Sequence, residues 1–210
     1  MNARSSSEPK AQSLRTRLRE ATAQAIIDAA EQVFADKGLQ AHMNDIAAGA
    51  GVAVGTLYNH FKDRDALLSE ILEVRRSGLL EVMDQFLAQP SSGDFRTDLT
   101  GLVQRMGDYF DLHRRFHMIL HQLEYGANLA SYPETAAGAP AMKREMNLRL
   151  EKVVKRGLKL KALRSELADF YPGLLMGILR SVRVHMAESG KEEHMPISEI
   201  VRFFMDGARA

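Results

Sequence analysis

The 210-residue chain is predicted to be all-α. Three observations predict it. Apolar residues recur at helical spacing through nearly the whole chain after residue 13. No stretch alternates apolar and polar residues as a half-buried strand would. Gly and Pro gather at a few places that divide the chain into about nine helical segments.

Taken in order, residues 1–13, with Ser5, Ser6, Ser7 and Pro9, carry no apolar periodicity and read as a flexible arm. Ile26, Ala29, Ala30, Val33 and Phe34 follow the spacing of one buried helix face, which Gly38 ends as a C-cap. Two short pieces follow, 43–50 and 54–61, around Gly51, with a break at Lys62 and Asp63. A long helix spans 64–88, supported by Leu67, Leu68, Ile71, Leu72, Leu79, Leu80, Met83 and Phe86, and Pro90 to Gly93 stop it. Helices are expected near 96–111, 114–126, 140–160, 166–188 and 197–208, with a loop over 127–139. Pro172 starts or bends the eighth helix, and Pro196 suits entry to the last.

Composition narrows the function classes. With no cysteine, a disulfide scaffold, a thiol nucleophile and a thiolate metal site are all excluded. The N-terminus lacks an apolar signal-peptide core and no apolar stretch reaches membrane-span length, so a cytoplasmic protein with no membrane partner is expected. A net charge of +1 lacks the bulk basic excess of many nucleic-acid binders. Positive charge is concentrated instead in residues 1–20, where Arg4, Lys10, Arg15, Arg17 and Arg19 face only Glu8 and Glu20.

The two short helices joined by a Gly-containing turn fit a helix-turn-helix. Ile46, Ala47 and Ala50 share one face of the first, Val52 plugs the turn, and Leu57 and Phe61 lie a turn apart on the second. Small Ala47 and Gly51 are expected to let the helices cross closely. The second helix then offers Gly55, Thr56, Tyr58, Asn59 and His60 outward, with no acidic group to oppose phosphate. Asn44 stands exposed at the start of the first, and asparagine can pair bidentately with adenine.

Residues 26–72, with Asp45-Ile46-Ala47, Gly51-Val52, Gly55-Thr56-Leu57-Tyr58 and His60-Phe61-Lys62, resemble the DNA-binding domain of TetR-type transcriptional repressors. The resemblance implies an arm over 1–18, a helix-turn-helix domain over 19–66, and a ligand-binding and dimerisation bundle over 67–210. It implies that Thr56, Tyr58 and His60 touch phosphates or bases. By the same resemblance Lys62 is the basic residue after the aromatic of the motif, Arg64 stands at the start of the fourth helix where a phosphate is contacted, and Asn44, Val54, Gly55 and Asn59 can face base edges. His42 and Ala53 depart from the pattern, because each stands where a capping hydroxyl is common. A missing cap costs about 1 kcal/mol locally.

In the C-terminal half, Gly173, Gly177 and Ser181 form a small-residue stripe that, with Val201, Phe203, Phe204 and Met205 on the last helix, is expected to form the two-fold four-helix interface that the resemblance implies. Phe86, Met106, Phe110, His117, His121, Tyr125 and Met146 are the candidates for a mostly apolar pocket taking a lipophilic or aromatic effector. His113, His117 and His121 also have helical spacing suited to zinc or nickel, but neither a metal nor any other cofactor is expected. Lys152, Lys155, Arg156 and Lys159 read as a solvated basic face.

The expected activity is therefore a ligand-responsive regulator that binds double-stranded DNA as a homodimer, with a small molecule releasing it. The alternatives are a DNA-organising protein of the same fold and a partner-binding coactivator without an inducer. No paired carboxylates and no nucleophile constellation support an enzyme.

Overall fold

The computed structural model describes residues 14–125, 133–189 and 194–208, with the backbone alone at residues 124, 125, 133–140, 187 and 208. All regular structure among the described residues is helical. The helices are α1 (Leu14–Lys37), α2 (Met43–Ala50), α3 (Val54–His60), α4 (Arg64–Leu87), α5 (Phe95–Leu112), α6 (Arg114–Tyr125), α7 (Pro133–Lys159), α8 (Tyr171–Ser189) and α9 (Ile197–Ala208), with a 3-10 turn at Ser165–Leu167. The all-α expectation holds, and so does the order of the elements.

Three boundaries moved. Helix α1 begins at Leu14, so residues 14–18, expected in the arm, are helical; residues 1–13 lie outside the described residues. Helix α7 begins at Pro133, where a loop over 127–139 was expected. Proline is suited to a first helical position, where its missing N–H has no partner to lose. Residues 166–170 belong to a 3-10 turn and connector, and α8 starts just before Pro172.

Two apolar cores organise the molecule. The first joins Ile26, Ala30 and Phe34 of α1 to Ile46 and Ala47 of α2, Leu57 of α3, and Leu67, Leu68, Ile71 and Leu72 of α4. Phe116, Ile119 and Leu123 of α6 complete it. The second joins the far half of α4, from Leu79 to Phe86, to α5, α7, α8 and α9. Helix α4 thus enters both, and the first core runs to Leu72, beyond the domain boundary expected after residue 66.

Caps explain the short elements. Gly51 adopts φ 67, a left-handed conformation that ends α2 and turns the chain toward α3. A Cβ there would meet nothing within 4 Å, so the glycine serves the backbone conformation and not the close helix crossing expected of it. His42 makes no side-chain cap, as expected. However, the Asp45 carboxylate accepts the His42 backbone N–H at 3.4 Å and pairs with Lys37 at 2.7 Å. The Lys37 hydrogen bond holds the Asp45 carboxyl below its ordinary range. Helix α2 therefore recovers part of what the missing hydroxyl would supply, whereas Ala53 leaves α3 without a side-chain cap. Asp63 caps α4 by accepting from the Ala66 N–H at 2.8 Å.

Polar ties fix α4 between the two cores. Arg75 bonds Glu31 and Asp28 of α1. Its own carbonyl accepts the Tyr109 hydroxyl of α5 at 2.7 Å. Gly78 makes that last approach possible, since a Cβ there would sit 2.5 Å from the Tyr109 oxygen. At the other end of α4, Arg149 forks onto Asp84 at 2.7 and 3.0 Å. Arg156 donates to the carbonyls of Leu87 and Gln89 and lies over the Phe86 ring. Of the expected solvated basic face, Lys152, Lys155 and Lys159 are exposed, but Arg156 turns inward to satisfy the open carbonyls at the end of α4.

Candidate nucleic-acid interface

Helices α2 and α3 bury one face each and leave the other open. Met43, Ile46, Ala47 and Leu57 go inward, with Ala50 and Val52 packed against the same core. Outward stand Asn44 on α2 and Val54, Gly55, Tyr58 and Asn59 on α3, all exposed, with Tyr58 at 51%. Thr56 and His60 are half-buried at the edge of this surface, and Lys62 is exposed just beyond it. From Ile46 to Lys62 the chain has no acidic residue, and Asp45 is occupied by Lys37. The surface is therefore polar, free of opposing charge, and flanked by bases, as a phosphate-lined groove requires. Arg64 differs from its neighbours. Its guanidinium donates to Gln40 at 2.9 Å and to Asp65 at 3.3 Å, so a phosphate contact there would compete with an existing clamp.

The reader is mechanically joined to the rest of the molecule by α6. Its residues Phe116, Ile119 and Leu123 lie in the reader's core, against α1. On the same helix, His117 is buried at 6% exposure, with Phe110 edge-on at 4.5 Å and Phe116 at 5.2 Å. Neither ring nitrogen of His117 has a hydrogen-bond partner among the described residues. Helix α6 also packs on α8, where His121 faces Glu188 at 3.6 Å.

Residues 26–71 match the family model described as bacterial regulatory proteins, tetR family. Residues 26–71 thus carry the signature of that family. Over 100 residues it is 32% identical to the HTH-type transcriptional repressor KstR2 of Mycolicibacterium smegmatis, a match that spans 47% of each chain. The likeness to that curated repressor therefore covers about half of its length. Among solved structures, the fatty acid degradation regulator FadR of Bacillus halodurans superposes with a TM-score of 0.75 at 18% identity, over 89% of this chain and 95% of that one. The transcriptional regulator FadR of Bacillus subtilis, solved in complex with stearoyl-CoA, does so with 0.73 at 16% identity, over 89% and 99%. At such identities the two structures speak for a shared fold. The named relatives are regulators of transcription, not enzymes.

The candidates for an effector pocket separate into two groups. Phe86, Met106 and Met146 are packed into the second core, Met106 with no exposure, and behave as plain core. Phe86 lies under the guanidinium groups of Arg105 and Arg156. Phe110 and His117 meet edge-on between α5 and α6, while His121, one turn further along α6, faces Glu188. The side chain of Tyr125 lies outside the described residues. Sequence reasoning missed Arg183 of α8, whose positive charge acts on His117, and missed Arg75 altogether. Neither had a local signal, since the groups they act on, Glu31 and His117, lie on other helices.

The histidine register is broken. His113 ends α5 in a non-helical conformation and stacks on Tyr109 at 4.4 Å, while His117 turns to Phe110 and His121 to Glu188. Among the described residues no group of three His, Cys, Asp or Glu could hold a metal ion. No helix among them is long and apolar enough to cross a membrane.

The expected interface residues divide as well. Gly173, Gly177 and Ser181 are exposed on α8, and a Cβ at either glycine would meet nothing within 4 Å. Phe204, expected on the same surface, points instead into its own core against Tyr171. The outward aromatic of α9 is Phe203, 73% exposed, accompanied by Leu174 of α8 at 52%. Of the residues expected at the interface on α9, Phe203 faces outward while Val201, Phe204 and Met205 are buried, because adjacent positions on a helix point about 100° apart.

Burial of His117 has a consequence for stability. Burial first, then the charges of Arg183 and His113, push its pKa from 6.5 down to about 3. The unfolded chain protonates this residue near the ordinary value, so below it protons favour unfolding. The stabilisation is complete above pH 6.5 and is lost as pH falls toward 3. The loss is about 1.4 kcal/mol per pH unit, or about 2 kcal/mol at pH 5. Urea unfolding of the wild type and His117→Phe at pH 7 and pH 5 checks it. The variant should lose about 2 kcal/mol less between the two. Parallel losses would refute the assignment.

Proposed function

We propose that this protein is a ligand-responsive transcriptional regulator that grips a pseudo-palindromic operator as a homodimer and is released by a small lipophilic molecule. The observation that carries the reading is the position of α6. It supplies Phe116, Ile119 and Leu123 to the reader's core while bringing His117 to the C-terminal half. A molecule lodged beside His117 can move the reader only if it binds two arrangements of α6 unequally. The stearoyl-CoA complex of the Bacillus subtilis FadR supports a lipophilic effector in this fold. The open apolar stripe of Leu174, Gly177 and Phe203 supports the dimer, which sets two reading helices at a fixed spacing.

In this reading Thr56, Tyr58, His60 and Lys62 meet phosphates, Arg64 joins them by giving up its clamp, and Asn44, Val54, Gly55 and Asn59 lie against base edges. Selection from random duplexes at two salt concentrations tests it. The expected result is an enriched pseudo-palindrome whose binding weakens steeply with salt. Lys62→Ala should weaken all sequences alike and lower the salt slope by about 1, whereas Asn44→Ala should change which bases are preferred. Absence of both enrichment and salt dependence would overturn the reading and favour a partner-binding role.

A further inference from the structure

The strongest unexplained group in the molecule is His117. A buried imidazole with neither nitrogen bonded is costly, because a phenylalanine of similar shape would pack there without losing water. Its walls are the Phe110 and Phe116 rings, at 4.5 and 5.2 Å between centroids. The permanent charge acting on it is positive, from half-buried Arg183 of α8. Glu188, the carboxylate of α8 near this seam, is turned to His121. A neutral imidazole offers one donor and one acceptor, and a guanidinium adds donors only. Such a set favours oxygen with negative charge and repels cations, while the two rings favour an apolar body.

We infer that the effector carries an oxyanion head, such as a carboxylate, on an apolar body, and that His117 and Arg183 hold that head between α6 and α8. This names the ligand class for the effector reading above and rests on it. Arg183 fixes the charge, and His117 bonds an oxygen with its ring N–H, removing the orphaned donor. An aliphatic amine or quaternary ammonium of the same body is excluded by the same two groups. Helix α6 then moves with the ligand head, because His117 lies on that helix between Phe116 and Ile119, both in the reader's core.

The test uses the full-length protein and calorimetric titration with decanoate, decanol and decyltrimethylammonium, each below its micelle concentration. Para-butylbenzoate and para-butylbenzyl alcohol form a parallel pair. Within at least one series the carboxylate should bind about 10-fold more tightly than the alcohol, and the ammonium not measurably. That comparison needs only wild-type protein. The preference should vanish in Arg183→Met and survive in part in Arg183→Lys, and His117→Phe should reduce it. Equal binding of the different heads, or a preference untouched in Arg183→Met, overturns the inference while leaving the effector reading in place. No binding by any member of either series overturns both.

Discussion

Arg75→Met is expected to lower the stability of the protein by about 3 kcal/mol or more, because it strands a buried carboxylate. The Arg75 side chain is 12% exposed and that of its partner Glu31 only 8%, while Asp28 adds a second, exposed contact at 3.1 Å. Burial works against the Arg75 charge, but the Glu31 hydrogen bond and the charges of Glu31 and Asp28 outweigh it and raise the pKa. Removing the cation alone leaves Glu31 with its desolvation cost and no compensation. Removing both charges is different. Glu31→Leu with Arg75→Met fills the same volume with apolar atoms, and the double variant should recover most of the loss. Urea unfolding at neutral pH across the four proteins of the cycle checks it, with an expected coupling of about 2 kcal/mol or more. A single variant within about 1 kcal/mol of wild type would show that the pair is solvated in solution. The pair also ties α1 to α4, so under the proposed function the duplex binding of folded Arg75→Met reports whether that tie positions the reader.

The second large effect is expected from charging the outward stripe. Leu174→Glu with Phe203→Glu should leave the fold intact, since these side chains are 52% and 73% exposed in the protomer. In the proposed homodimer, like charges brought together by the two-fold axis should nevertheless prevent association. Light scattering should then return the protomer mass of 23.4 kDa. Affinity for a duplex carrying two half-sites should fall by about 100-fold or more, because the second half-site is no longer bound at high effective concentration. Affinity for a single half-site should be unchanged. A double variant that remains dimeric would place the interface elsewhere.

Much of this protein could be read along the chain. The spacing of Ile26, Ala30, Val33 and Phe34 identified the inner face of α1, and these residues are buried. The short helices around Gly51 could be read because their turn chemistry is local: a left-handed glycine can be recognised without knowing what packs on it. The exposed set on α2 and α3 followed from the same periodicity. Where signals are weaker, local spacing does not decide which side chain faces inward. Phe204 and Phe203 are adjacent apolar residues on one helix, and nothing local says which faces the core. Phe86, Met106 and Met146 have the size and flexibility of pocket residues, and only their neighbours make them core.

The sequence by itself determined the all-α class, the order of the helices and the polar, acid-free face of the reader. Each follows from interactions between residues a few positions apart, which periodicity and capping record. The tertiary structure alone decided that α6 belongs to the reader's core, that Arg75 meets Glu31 across 44 positions, and that His117 is buried beside the charge of Arg183. These depend on where distant helices cross. The same amphipathic stripe can pack against several partners, and only the packed chain, with its burial and its charges in place, selects one of them.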